Sequence, residues 1–151
     1  MPALASIVDL PQQIRAAVAG LSDAQLDTPY RPGGWSVRQV VHHVADSHMN
    51  GYIRTKLALT ESDPTIKPYK QDEWSMLADA RLPVEVSLVL LEAVHQRWTT
   101  VWKAMPPDHF SRTFQHPELG AMTLDTQLQL YAWHSRHHVA HITSLRQREH
   151  W

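Results

Sequence analysis

The sequence predicts an all-α fold, a helical bundle of four long helices with short extra helices, and three observations carry that prediction. Four segments repeat apolar residues at i, i+3 and i+4. The ten prolines and five glycines gather in a few places that punctuate the chain. The connections between the periodic segments are short, which favours helices packed on helices. A chain of 151 residues hides roughly 70% of its unfolded surface, enough for one core without staples, so residues 1–151 read as a single domain.

The first segment, SIVDLPQQIRAAVAGLSDAQL, offers Asp9 as a cap, Pro11 in the first turn and Ile14, Ala17, Val18 and Leu21 at helical spacing. It predicts a helix over Leu10 to Ala19. TPYRPGGW is a stop signal, after which Ser36 and Gln39 form a capping box for a long helix from Ser36 to Leu59. Val37, Val40, Val41 and Val44 lie on one side of that helix and Ile53 and Leu57 on another, which makes it central. The loop ESDPTIKPYK follows, then a short helix over Asp72 to Asp79 with Trp74 and Leu77 facing inward.

Pro83 to Ala104 reads as helix despite its β-branched start, because Leu91, Val94, Trp98 and Val101 keep the helical spacing. Residues 105–122 form a connection with extended character around RTFQH. Thr123 caps a last helix that runs to Arg148, with Leu124, Leu128, Tyr131, Val139 and Ile142 on its apolar face. Trp35, Trp98, Trp102 and Trp133 are core candidates.

Composition narrows the chemistry. A formal charge of −1 disfavours nucleic-acid binding. No stretch approaches the ~20 apolar residues of a membrane span, and the N-terminus lacks a signal-peptide pattern, so the cytoplasm is the expected location. With no cysteine, any metal must take nitrogen or oxygen ligands.

The last helix contains YAWHSRHHVAHI. Residues four apart are turned by ~40° and separated by ~6 Å along the axis, so two i, i+4 pairs compete: His134 with His138, and His137 with His141. The first pair borders the apolar stripe and is favoured, since a useful ligand faces a protected interior. A third ligand must come from another helix, and VVHHVADSH supplies His42, His43, Asp46 and His48, among which periodicity does not choose. His95, His109, His116 and His150 read as structural or exposed. KPYK reads as a solvated loop, while Arg54, Lys56 and Arg136 are candidates to hold a carboxylate.

Taken together, GGWSVRQVVHHVADSHMNGYIRTKLALTE, PTIKPY and YAWHSRHHVAHI resemble the DinB/YfiT-like metal-dependent family, in its YfiT branch of metal-dependent hydrolases. The resemblance spans Gly33 to Ile142. It implies an up-down-down-up four-helix bundle holding one divalent metal ion per chain, zinc or nickel, on His43, His134 and His138. His42, His48, His137 and His141 then lie outside the ligand set, and Asp46 is a candidate acceptor behind the histidines. The resemblance further implies hydrolysis of a small-molecule substrate, or transfer of a low-molecular-weight thiol such as bacillithiol by a thiol S-transferase, and a homodimer. A non-catalytic metal-binding or dimerising bundle is the third expectation.

Overall fold

The computed structural model describes residues 1–151. The elements are α1 (Pro2–Val18), α2 (Asp23–Leu26), α3 (Val37–Thr60), α4 (Gln71–Trp74), α5 (Val84–Ala104), β1 (Thr113–His116), β2 (Gly120–Thr123) and α6 (Leu124–Glu149), with 3₁₀ turns at Ala78–Arg81 and Pro107–Ser111. No helix is long and apolar enough to cross a membrane.

Hydrogen bonds between the four long helices fix their directions. Ser6 accepts from Arg136 and the Ala17 carbonyl from Arg146, so α1 and α6 run parallel. Ser87 meets His42 and His95 meets His48, so α3 and α5 also run parallel. Tyr131 donates to the Ser47 carbonyl and Gln127 to that of Gly51, which sets α6 antiparallel to α3. The bundle is therefore up-down-down-up, as expected. A parallel α3–α5 pair needs a long crossover, and residues 61–83 provide it, against the short connection expected.

Local chemistry explains the boundaries. Ser36 and Gln39 make the expected capping box at the start of α3, and the Thr123 hydroxyl accepts from the Thr126 N–H at the start of α6. The extended character around RTFQH becomes a hairpin with Phe114 opposite Met122, and it docks on the crossover through Gln115 N–H to the Pro64 carbonyl. The helix expected over Asp72 to Asp79 divides into α4 and the 3₁₀ turn; Leu77 is exposed and Trp74 only half-buried. Trp98 and Trp102 lie in the core, but Trp133 is exposed, because it faces a cleft rather than a helix.

Helix α1 departs most from expectation. It begins at Pro2, so Asp9 caps nothing and Pro11 sits in the middle of the helix. Proline has no N–H, which leaves the Ile7 carbonyl without its i+4 donor. His95 Nδ1 reaches across from α5 and donates to that carbonyl at 2.7 Å.

The interior has two apolar clusters. One contains Ile7, Trp98, Leu128 and Tyr131, and the other Leu10, Val44, Leu91 and Ile142. Along α3, α5 and α6 the residues between the clusters include His48, His95, His134 and His138, so an imidazole layer divides the core. Gly51 lets α3 and α6 close beside this layer. A Cβ there would stand 2.5 Å from the Tyr131 ring and 2.8 Å from Trp98.

The layer makes stability depend on pH. Burial pushes His95 down to about 4, against the opposing effect of its bond to Ile7, whereas an unfolded histidine titrates near ~6.5. Between those values the unfolded chain binds a proton that the folded chain refuses. The stability contribution is full above ~6.5 and falls as pH drops, by up to ~1.4 kcal/mol per pH unit for this one group. Urea unfolding midpoints measured from neutral pH down to about 4 should decline steadily; a flat profile would contradict a buried neutral His95.

Candidate metal centre

Three imidazoles meet where α3 crosses α6. His43 enters from the second turn of α3, with its ring tilted against Trp35 at 4.5 Å. His134 and His138 project from successive turns of α6. His134 Nε2 lies 3.2 Å from His43 Nε2 and 3.1 Å from His138 Nε2, and the ligand atoms of the three all fall within 4.8 Å of one another.

The two spacings from His134 Nε2 suit a common ion. Nitrogens held ~2.1 Å from one metal at tetrahedral to octahedral angles stand roughly 3.0–3.4 Å apart. As hydrogen bonds alone the contacts are poor, because a single His134 Nε2 cannot serve two neighbours well. The protonation state also fits. Burial, and then the neighbouring imidazoles, pushes His43 and His134 down to about 3 and His138 to about 2, so all three are neutral at neutral pH with lone pairs to offer.

The other histidines have different work. His42 is held at both nitrogens, by the Ser87 hydroxyl at 2.6 Å and by the Leu82 carbonyl at 2.9 Å, and ties the crossover to α3. His116 Nδ1 accepts from the Glu118 and Leu119 N–H groups in the hairpin turn. His48 lies directly behind the trio, its Nε2 3.1 Å from His134 Nδ1 and its Nδ1 2.8 Å from His95 Nε2. Sequence reasoning placed His48 outside the ligand set and read His95 as structural. It missed that the two form a continuous line into the centre. The signals were Pro11, four residues after Ile7, and His95 set between the core residues Leu91 and Trp98.

A cleft of about 400 Å³ opens onto the three histidines. His141 stacks on Tyr30 at 4.0 Å and His137 on Trp133 at 4.6 Å, so these two imidazoles form walls of the cleft rather than part of the trio. Arg31, Gln71 and Asp72 complete the lining. A larger cleft of about 650 Å³ lies apart from the histidines, around Arg38. That guanidinium is already paired with Asp23 and Asp27.

Asp46 makes no hydrogen bond through its carboxylate to any of the three histidines. It lines a small separate cavity with His42, His43 and Asp79, and burial followed by repulsion from Asp79 pushes it up to about 6. Among the carboxylate-holding candidates, Arg54 borders a cavity shared with His134, Tyr69 and His116 and donates to the Lys67 carbonyl. Pro68 and Tyr69 line the same cavity, so KPYK is less solvated than its composition suggests. Lys56 instead sits over Tyr52, and Arg136 bonds Ser6.

Comparison with known proteins agrees with this architecture. The DinB superfamily pattern matches residues 7–142. Relatives from Bacillus mycoides and Bacillus thuringiensis subsp. konkukian are 57% and 58% identical over 145 residues, covering 96% of this chain and 84% of theirs. Both carry the provisional name metal-dependent hydrolase. YfiT from Bacillus subtilis, described as a probable metal-dependent hydrolase with an unusual four-helix bundle topology, superposes with a TM-score of 0.96 at 48% identity, over 99% of this chain and 86% of that one. The four-helix bundle protein TT2238 shares the fold at a TM-score of 0.63 and 20% identity, over 94% of this chain and 96% of its own. With its YfiT-like bundle and this match along most of its length, the chain belongs to the DinB superfamily.

Proposed function

We propose that the protein is a metal-dependent hydrolase of small molecules, in which His43, His134 and His138 hold one divalent ion, zinc or nickel, at the foot of the cleft. One observation carries the reading: His134 Nε2 lies 3.1–3.2 Å from the Nε2 atoms of His43 and His138, and the three neutral imidazoles converge beneath a cavity of about 400 Å³. Closed structural zinc sites have four protein ligands, whereas three leave a position for water or substrate. Imidazole donors suit zinc and nickel alike. A divalent ion bound there supplies Lewis acidity and lowers the pKa of a water or thiol placed against it.

The chain's own residues do the rest. Trp35 and the Tyr30–His141 and Trp133–His137 stacks confine a small substrate between flat walls, while Gln71, Asp72 and Arg31 offer polar contacts. The relatives' provisional name supports hydrolysis. Exposed Val86, Val89 and Leu90 along one face of α5 support a homodimer.

A second reading, transfer of a low-molecular-weight thiol to an electrophile, is favoured by the position of Asp46. No carboxylate is hydrogen-bonded beside the three nitrogens to act as a general base. A thiol would need one less, since an ion held by His43, His134 and His138 would lower the thiol pKa enough for solvent to take the proton.

Elemental analysis of untagged protein tests the ligand set. About one metal per chain should survive His137→Ala and be lost in His138→Ala; the reverse pattern would sink the assignment. Absence of metal from the wild type, with full stability in a His43→Ala, His134→Ala variant, would favour a non-catalytic bundle. The two chemistries separate on incubation with a model ester and a small thiol. Metal-dependent ester cleavage without loss of free thiol supports hydrolysis, and metal-dependent consumption of thiol by an added electrophile supports transfer.

A further inference from the structure

The defect at Pro11 and the candidate metal centre are joined by an unbroken line of hydrogen bonds, and that line dictates where each proton sits. A carbonyl oxygen only accepts, so the Ile7 carbonyl requires the proton on His95 Nδ1. A neutral imidazole protonated at Nδ1 has its lone pair on Nε2. His95 Nε2 therefore accepts, and His48 Nδ1 donates to it across 2.8 Å. His48 Nε2 must then accept in turn, and His134 Nδ1 donates to it across 3.1 Å. His134 Nε2 is left with a lone pair, on the side where His43 and His138 converge. His48 and His95 are buried and neither ring is hydrogen-bonded to a carboxylate, so each is neutral and has only one proton to place.

We propose that Pro11, His95 and His48 are positioning residues for the metal centre: they expose the Ile7 carbonyl and relay its demand for a proton through two imidazoles. His134 is thereby locked with its proton on Nδ1 and its Nε2 lone pair aimed at the ion. The proposal rests on His43, His134 and His138 being the ligands. Metal-bound histidines usually donate their second N–H directly to a carboxylate, carbonyl or water; here the carbonyl lies two rings further back. Pro11 is essential to the device, since any other residue at that position would offer its own N–H to Ile7 in competition with His95. A neutral histidine chain without that anchor could run in the opposite direction, with a proton on His134 Nε2 blocking coordination.

Long-range ¹H–¹⁵N spectra of the full-length protein labelled with ¹⁵N-histidine, recorded without metal and with zinc added, read each tautomer directly. The expected result is Nδ1–H for His48, His95 and His134 in both samples; Nε2–H at His48 or His134 overturns the proposal. Zinc titration is the second readout. His48→Leu and His95→Leu should weaken binding about 10–100-fold. His48→Gln, whose amide donates to His95 and whose oxygen accepts from His134, should regain most of that loss. Pro11→Ala should leave the bundle folded and give His134 a mixed tautomer signature. Unchanged zinc affinity in His95→Leu with His134 still Nδ1–H overturns the proposal. If the leucine variants fail to fold, the wild-type spectra and Pro11→Ala still decide. Failure of the ligand assignment looks different: a wild type that takes up no zinc yet keeps all three Nδ1–H tautomers refutes the metal reading, and with it the purpose of the relay, while the protonation pattern stands.

Discussion

A neutral imidazole carries one N–H and one lone pair, and a protein interior must find a partner for both. Leaving either unpaired when buried costs on the order of 1–3 kcal/mol. This bundle places a whole layer of imidazoles between two apolar clusters, so the requirement falls on four helices at once. The line from Ile7 through His95 and His48 to His134 meets it for His95 and His48 by giving each of those rings one donor and one acceptor role. What the line cannot satisfy is the last lone pair, on His134 Nε2, together with the nitrogens of His43 and His138 beside it. In the proposed function a divalent ion would take all three.

The up-down-down-up order serves the same end. Parallel packing brings His95 of α5 level with His48 of α3, while antiparallel packing of α6 on α3 brings His134 and His138 level with His43. The long crossover from residue 61 to 83 is the cost of that order. It is held to α3 by His42, whose Nε2 donates to the Leu82 carbonyl, and by Arg38, which also reaches Leu82. Gly51 allows Tyr131 and Trp98 to close over the layer from one side.

Much of this was legible in the residues. The Ser36–Gln39 box, the Thr123 cap and the helical spacing of apolar residues located three of the four long helices to within a residue or two, because those signals are local. The His134–His138 pair followed from helix geometry, and His43 from family resemblance; all three meet in the structure. The start of α1 was misjudged because Pro11 looked like a first-turn proline. Its interior position frees the Ile7 carbonyl, which His95, far away in sequence, takes. RTFQH read as extended, but its pairing into a hairpin docked on the crossover, and the split near α4 where the Gln39 side chain donates to the Ser75 carbonyl, depend on distant contacts that no local pattern announces. Trp133 reads as core from its helical spacing, yet it forms a cleft wall with His137.

His43, His134 and His138 are proposed to share one ion through their Nε2 atoms. Crystals of untagged protein, with anomalous diffraction recorded on both sides of the zinc and nickel absorption edges, test it most directly. A single peak per chain is expected, ~2.0–2.2 Å from the Nε2 atoms of His43, His134 and His138, with His137 and His141 uninvolved. A peak bound instead by His137 and His141, or no peak in protein purified without chelator, would contradict it.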